Sequence, residues 1–548
     1  MELDASVGVL PPESGGTASH AATDAEPVLG ALGLAWPSSG GVTGSSATGQ
    51  GHERSRLSRL AGWWPALVAT VFVIVVTVAY GARWSMWQDE GHSLATVHQP
   101  LGAMASQLFR HDANMGPYYY ALWFWVRIGG ASDLWARSLS ALGTIVAVWF
   151  VFALGRRWAS TWVGAAAAVV FVTNPFVLSW TLQARSYTWT MAFGLIALYA
   201  FDRLVEYSGA AQASDPEAVD WRTQSALERN AQRWGAVAGA ACGIAAALSL
   251  SLSSALPLAI LAALTLRRAR GRVTTWAVCG AGLAAMVCIA PFALAYANNQ
   301  SQAAWIPPLT GAIVAKEMPR LAGGGVLACV FAAGVLVVLA AARVRPVARP
   351  FAVPALTAVF GTAAVAVASL VAQPMFLSRY LAVILPFAVL ATLGACACLG
   401  RRLAIVASVI VAAIAVGVLA NNVDAIQPVA IEDFRSAGAL VAQSLHNNDA
   451  VVAIPAYTIY PVVHYWDDAH PRSQILTVAR AANGDFGLAR YGSRTRAPIP
   501  DHMWVIRRGS PNAPLDAWDS ARNDWLIHTW PHAKTFSFRG VTVERRSR

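Results

Sequence analysis

Apolar residues fall in long blocks, separated by short stretches of arginines and turn formers, and the blocks have the length of a membrane span. They occupy about residues 63–81, 137–155, 159–178, 187–204, 234–250, 252–266, 273–293, 321–341, 351–371, 380–399 and 403–420. A helix needs about 20 apolar residues to cross the hydrocarbon core, so the pattern predicts about eleven transmembrane helices. The stretch 234–266 reads as one long helix or as a hairpin of two short ones. Arg229 and Arg233 precede it and Arg267, Arg268, Arg270 and Arg272 follow it, and a hairpin keeps both clusters on one side.

Both ends of the chain break the pattern. Residues 1–55 are rich in Gly, Ser, Ala and Thr and lack hydrophobic periodicity, which predicts a disordered tail. So long a polar stretch ahead of the first span argues against a signal peptide. Beyond 420 the blocks shorten. Residues 433–445 have helical spacing, 450–454 and 503–507 are short buried-strand runs, and 535–544 alternate like one strand. The expected organisation is a tail (1–55), a membrane domain (56–420) with a long first loop (82–136), and a small C-terminal α/β domain (421–548).

Composition agrees. Of the 548 residues 56% are hydrophobic and 13% charged, against roughly a quarter charged in soluble domains, and mean hydropathy is +0.47. The net charge of +11 does not point to nucleic acid, because the arginines cluster between apolar blocks as the positive-inside rule expects. Arg54, Arg56, Arg59, Arg156, Arg157, Arg343, Arg345, Arg349, Arg401 and Arg402 then mark the cytoplasmic face, with the N-terminus inside and 421–548 outside. The alanine-rich, lysine-poor composition fits a high-GC bacterium, and the expected location is a bacterial plasma membrane crossed many times. All six cysteines lie in apolar blocks, which leaves neither a disulfide framework nor a zinc-finger spacing.

Three features on the outer face carry candidate chemistry. The first is Asp89-Glu90, just after the first span. The pair is either solvated or placed at a helix N-terminus, where acids are favoured, or it is a catalytic site. Adjacent helical residues point about 100° apart, so only one of the two should face a common reaction centre. The second feature is Arg110-His111-Asp112-Ala113-Asn114-Met115-Gly116-Pro117, followed by Tyr118, Tyr119, Tyr120, Trp123 and Trp125. Such aromatics read as an interfacial belt before a sugar platform. His111 and Asp112 could join Glu90 around a divalent metal, although their spacing matches no specific metal motif. Third, Arg185 and Arg379 stand at the outer ends of spans, each near a tyrosine, Tyr187 and Tyr380. Outer-face arginines either snorkel to headgroups or bind a phosphate or carboxylate, and their recurrence beside tyrosine favours phosphate.

The order of these motifs resembles the GT-C superfamily of integral-membrane glycosyltransferases, in the branch of protein O-mannosyltransferases and lipid A aminoarabinose transferases. The resemblance rests on Trp87-Gln88-Asp89-Glu90, Gly116-Pro117-Tyr118-Tyr119-Tyr120, Leu134-Trp135-Ala136-Arg137-Ser138-Leu139-Ser140-Ala141-Leu142 and Gln183-Ala184-Arg185-Ser186-Tyr187. Farther along it includes Trp305-Ile306-Pro307-Pro308, Ser378-Arg379-Tyr380-Leu381 and Asp433-Phe434-Arg435. It covers about residues 60–470. It departs where many relatives carry a His-Pro-Pro-like run and this chain has Asn114-Met115-Gly116-Pro117.

The resemblance implies a GT-C fold and inverting transfer of a sugar, mannose or another, from a polyprenyl-phosphate donor to an acceptor hydroxyl at the outer face. Asp89 would then be the base, with Glu90 orienting the acceptor or helping to hold a metal. Arg185, Arg379, Tyr187 and Tyr380 would bind the donor phosphate, and His111, Asp112, Asn114 and Trp305 would line the acceptor side or a closing loop. The acceptor is a lipid, polysaccharide or protein. A secondary transporter or lipid flippase is the alternative. It expects coupling charges near the midplane and repeat symmetry, and neither is visible in the spans.

Overall fold

The computed structural model describes residues 62–110, 115–213, 221–249, 252–267, 272–298, 306–422, 432–466, 472–480, 485–490, 495–510 and 514–548. The expected N-terminal tail lies outside them. Helix α1 (Trp64–Gly81) is followed by three helices in the first loop, α2 (Gln88–Val97), α3 (Leu101–Arg110) and α4 (Gly116–Gly129). The bundle continues with α5 (Asp133–Trp158), α6 (Thr161–Val172), α7 (Pro175–Thr181), α8 (Tyr187–Ala213), α9 (Trp221–Ser249), α10 (Leu252–Leu266) and α11 (Arg272–Asn298). It closes with α12 (Gly311–Ala322), α13 (Gly325–Ala341), α14 (Arg349–Val371), α15 (Leu385–Ala397) and α16 (Arg401–Asn421).

Each predicted apolar block is helical, and 234–266 holds two helices, α9 and α10. Among the described residues four helices are long and apolar enough to cross a membrane, or up to six if each of two bent pairs is one span. Leu67, Val68, Val71, Ile74, Val75 and Val78 stand exposed along α1, an arrangement suited to lipid contact and costly in water.

The bent pairs have local causes. Predicted span 159–178 breaks by 63° into α6 and α7 at Asn174-Pro175. Proline supplies no N–H there, and the Asn174 side chain instead accepts from the amides of Phe176 and Val177. Helices α12 and α13 turn by 87° at Gly323 and Gly324, both with positive φ. Asn174 Nδ2 donates to Ala322 O at 2.7 Å, and a Cβ on Gly323 would lie 2.8 Å from Asn174 Oδ1, so this corner is pinned against the start of α7.

The aromatic run does not form the expected belt throughout. Tyr118 and Tyr119 are 1% exposed in the helical core, with the Tyr118 hydroxyl 3.0 Å from Ser140 Oγ. Trp125 stacks on Trp135 at 4.8 Å, each indole N–H donating to the other residue's carbonyl.

The C-terminal region is an α/β layer. It comprises α17 (Phe434–Ser444), β1 (Asp449–Ile454), α18 (Ile459–His464), β2 (Leu476–Arg480), β3 (Phe486–Arg490), β4 (His502–Arg508), α19 (Ala517–Thr529), β5 (His532–Phe538) and β6 (Val541–Ser547). The main sheet has order β1-β4-β6-β5, with β1 parallel to β4 and the other pairs antiparallel, and β2-β3 form a small second sheet. Strand β1 is buried along its whole length because apolar clusters cover both faces: Phe434, Ala437, Val441 and Val462 on one side, Leu526 and Trp530 on the other. Residues 535–544, expected as one strand, are instead a hairpin pairing Phe538 with Val541. The turn is Arg539-Gly540, where Gly540 takes φ 66°.

Candidate active site

The first turn of α2 carries both acids, where the helix N-terminus favours negative charge. The helix then separates them. Glu90 is fully buried and faces Arg137 on α5: Nε donates to Oε1 at 2.8 Å and Nη2 to Oε2 at 2.7 Å, and the Ala184 amide also donates to Oε1 at 2.8 Å. Arg137 spends its remaining donors on the carbonyls of Gly81, Trp84 and Ser85. Sequence reading gave Arg137 no role; its only trace was a place in a quoted motif. Both Glu90 oxygens are engaged, and through Arg137 and the Ala184 amide they tie α2 to α5, to the end of α1 and to the α7–α8 turn.

Asp89 points the other way. Its Oδ2 lies 3.7 Å from Arg185 Nη2 and 3.5 Å from Arg379 Nη1, and its side chain is 24% exposed. Three of the candidate residues, from segments far apart in sequence, therefore meet at one half-open recess. The separations are ion-pair contacts too long for good hydrogen bonds. The cluster sets one carboxylate beside two guanidiniums, the kind of side chain that pairs with phosphate.

Each arginine is held in place. The Arg185 backbone sits in the tight turn between α7 and α8, where Ser140 Oγ donates to Arg185 O at 2.8 Å and accepts its amide at 3.2 Å. Its Nη1 donates to Ser93 Oγ at 3.2 Å and Asp89 O at 3.3 Å. Burial lowers the pKa of this guanidinium, but the Asp89 carboxylate and the hydroxyls of Tyr187 and Tyr119 more than offset it and hold the pKa above the usual arginine value. Arg379 is raised in the same way, against burial, by Tyr187, Tyr380 and Asp89, and it lies 5.3 Å from the Tyr380 ring centre. Tyr187 is 1% exposed and packs on Trp180 at 4.3 Å.

One further group escaped sequence reading. Glu317 on α12 is 3% exposed; its Oε2 accepts from the Ser378 amide at 2.9 Å and the Ser378 hydroxyl at 2.7 Å, and Arg320 pairs with Oε1 at 3.2 Å. Ser378 adjoins Arg379, so Glu317 fixes the turn that presents the second guanidinium. His111, Asp112, Asn114 and Trp305 lie outside the described residues. Among the described residues no three His, Cys, Asp or Glu side chains converge as a metal-binding group.

No protein-family model and no curated protein sequence matches the chain. Among solved structures it is similar to ArnT from Cupriavidus metallidurans in the apo state, with TM-score 0.55 and 14% identity over 89% of this chain and 98% of that one. It is equally similar to the same protein bound to undecaprenyl phosphate, with TM-score 0.55 and 14% identity over 88% and 97%. At this identity the likeness is one of fold, and the chain described here has the fold of ArnT, a GT-C fold.

Proposed function

We propose that the chain is an inverting glycosyltransferase that moves a sugar from a polyprenyl-phosphate donor to an acceptor hydroxyl at the outer face of a bacterial plasma membrane. The observation that carries this reading is the meeting of Asp89, Arg185 and Arg379 in one recess. The ArnT structure with undecaprenyl phosphate supports the choice of donor, since a protein of this fold holds that lipid.

In this reading Arg185 and Arg379, aided by the hydroxyls of Tyr187 and Tyr380, bind the donor phosphate. Before donor arrives, Asp89 is their counter-ion. The phosphate takes over that role and frees the carboxylate to serve as base. Asp89 then accepts the acceptor's hydroxyl proton while the oxygen attacks the anomeric carbon from the face opposite the phosphate. The carbon–oxygen bond to phosphate breaks with its electron pair on the leaving group, and the two guanidiniums stabilise the charge that grows there. Polyprenyl phosphate is a good leaving group, so no general acid is required. Glu90 contributes by positioning: it locks α2 to α5 so that Asp89 faces the recess.

The test is sugar transfer from radiolabelled polyprenyl-phosphate mannose, and from a panel of other polyprenyl-phosphate sugars, by membranes holding the wild-type chain, each with and without a chelator. Wild-type transfer with release of polyprenyl phosphate and an inverted anomeric centre is the expected result. A purified chain that neither binds polyprenyl phosphate nor transfers any sugar of the panel would sink the reading.

A further inference from the structure

The carboxylate of Asp133, at the first turn of α5, is 8% exposed, and the C-terminal layer supplies three of its partners. Arg435 Nη2 donates to Oδ2 at 2.6 Å, the Tyr465 hydroxyl donates to Oδ2 at 2.5 Å, and His464 Nε2 lies 2.7 Å from Oδ1. These bonds continue into the segment that leads to α2. Tyr465 OH accepts from the Met86 amide at 2.7 Å, and the Arg435 amide donates to Ser85 Oγ at 3.1 Å. Burial and the Asp133 charge push the Tyr465 phenol well above its ordinary pKa, so it remains protonated and able to donate.

A second contact falls on α2 itself. A Cβ at Gly91 would lie 2.5 Å from Pro461 N and 2.7 Å from its Cα, so only glycine lets α18 seat against α2 here. The neighbouring His92 ring meets Tyr460 edge-on at 4.7 Å. Farther along, Glu432 pairs with Arg508, and its carboxyl is pushed up by burial and by the nearby Asp89 charge. The layer thus grips the entrance, the first turn and the second turn of the helix that carries Asp89.

We infer that the C-terminal layer is a positioning element of the transfer reaction, acting through a latch of Asp133, Arg435, His464 and Tyr465 and a seat of Pro461 on Gly91. The inference rests on the function proposed above in assigning Asp89 to the chemistry. None of the latch residues is placed at the reacting atoms. They set the direction in which α2 presents Asp89, and small misplacement of a reacting group is costly: about 1 Å can lower a rate by roughly 10²-fold.

The experiment uses the full chain in lipid nanodiscs, as wild type, Asp133→Asn, Gly91→Ala and the milder Tyr465→Phe, which keeps the ring. Amide hydrogen exchange is read over 83–97 and 434–466, and kcat, KM for donor and Kd for polyprenyl phosphate are measured beside it. Latch loss should speed exchange over 83–97 and lower kcat by about tenfold or more, with Kd for polyprenyl phosphate within about threefold of wild type. Unchanged exchange over 83–97 in all three variants overturns the latch. Faster exchange with kcat within about twofold of wild type overturns the positioning role. If the wild type transfers nothing, the functional reading fails, and the latch stands or falls on exchange over 83–97 alone. A variant that does not fold is replaced in this comparison by Tyr465→Phe, whose loss is one hydroxyl.

Discussion

Two charged clusters flank the same turn of α2, and they differ in almost every physical respect. On one side Glu90 and Arg137 are sealed from solvent, matched one to one, and bound at hydrogen-bond distances with every remaining guanidinium donor spent on carbonyls. On the other, Asp89 is partly open, and its carboxylate stands beside both Arg185 and Arg379 beyond good hydrogen-bond distance. A satisfied buried pair organises the chain around it. A loosely paired, partly exposed cluster is far less constrained, and adjacency in sequence does not distinguish the two environments.

The largest effect is expected from removing one member of the sealed pair. Arg137→Met leaves Glu90 charged and buried, a cost of about 3–5 kcal/mol, and little folded protein should survive detergent extraction followed by size exclusion. Adding Glu90→Leu to that variant should recover much of the folded fraction. If Arg137→Met alone extracts like wild type, the pair is not structural. Next in size, Asp89→Asn should lower turnover by about 10²- to 10⁴-fold while the thermal melting profile stays near wild type. Equal melting losses for Asp89→Asn and Glu90→Gln would erase the distinction between the two sides. Arg379→Ala should weaken polyprenyl phosphate binding by about 1.5–3 kcal/mol, roughly 10- to 150-fold in Kd by titration. The smallest effect is expected for Glu317→Gln, which disturbs the Ser378 contacts by about 1 kcal/mol and should raise donor Kd roughly fivefold. A change as large as that of Arg379→Ala would mean that Glu317 does more than hold the turn.

Much of this architecture was legible because lipid imposes a simple code. Long apolar blocks and arginine clusters revealed the helices, and the motif order pointed to Asp89, Arg185 and Arg379. What stayed hidden depends on contacts across the fold. Glu90 meets an arginine 47 positions away, and nothing in the spacing around either residue distinguishes a structural pair from a catalytic one. Glu317 is a lone acid in a stretch with no motif, and its meaning comes only from Ser378, 61 positions on. The β5–β6 hairpin was legible only in a change of phase, from Phe536 and Phe538 to Val541 and Val543, across Arg539-Gly540. The buried tyrosines were misplaced because a belt and a core look alike without knowledge of which face packs on α5.

The right-angled corner at Gly323-Gly324 bears on how such a protein meets membranes of different thickness. Helix α13 runs away from the corner, while Asn174 ties the corner itself to the start of α7. Each residue added to or lost from the far end of α13 changes its length by about 1.5 Å, and that change moves away from Glu317, not toward it. A relative adapting to a thicker or thinner bilayer, where mismatch is costly per ångström, can therefore lengthen or trim this helix without moving the Glu317–Ser378 contact.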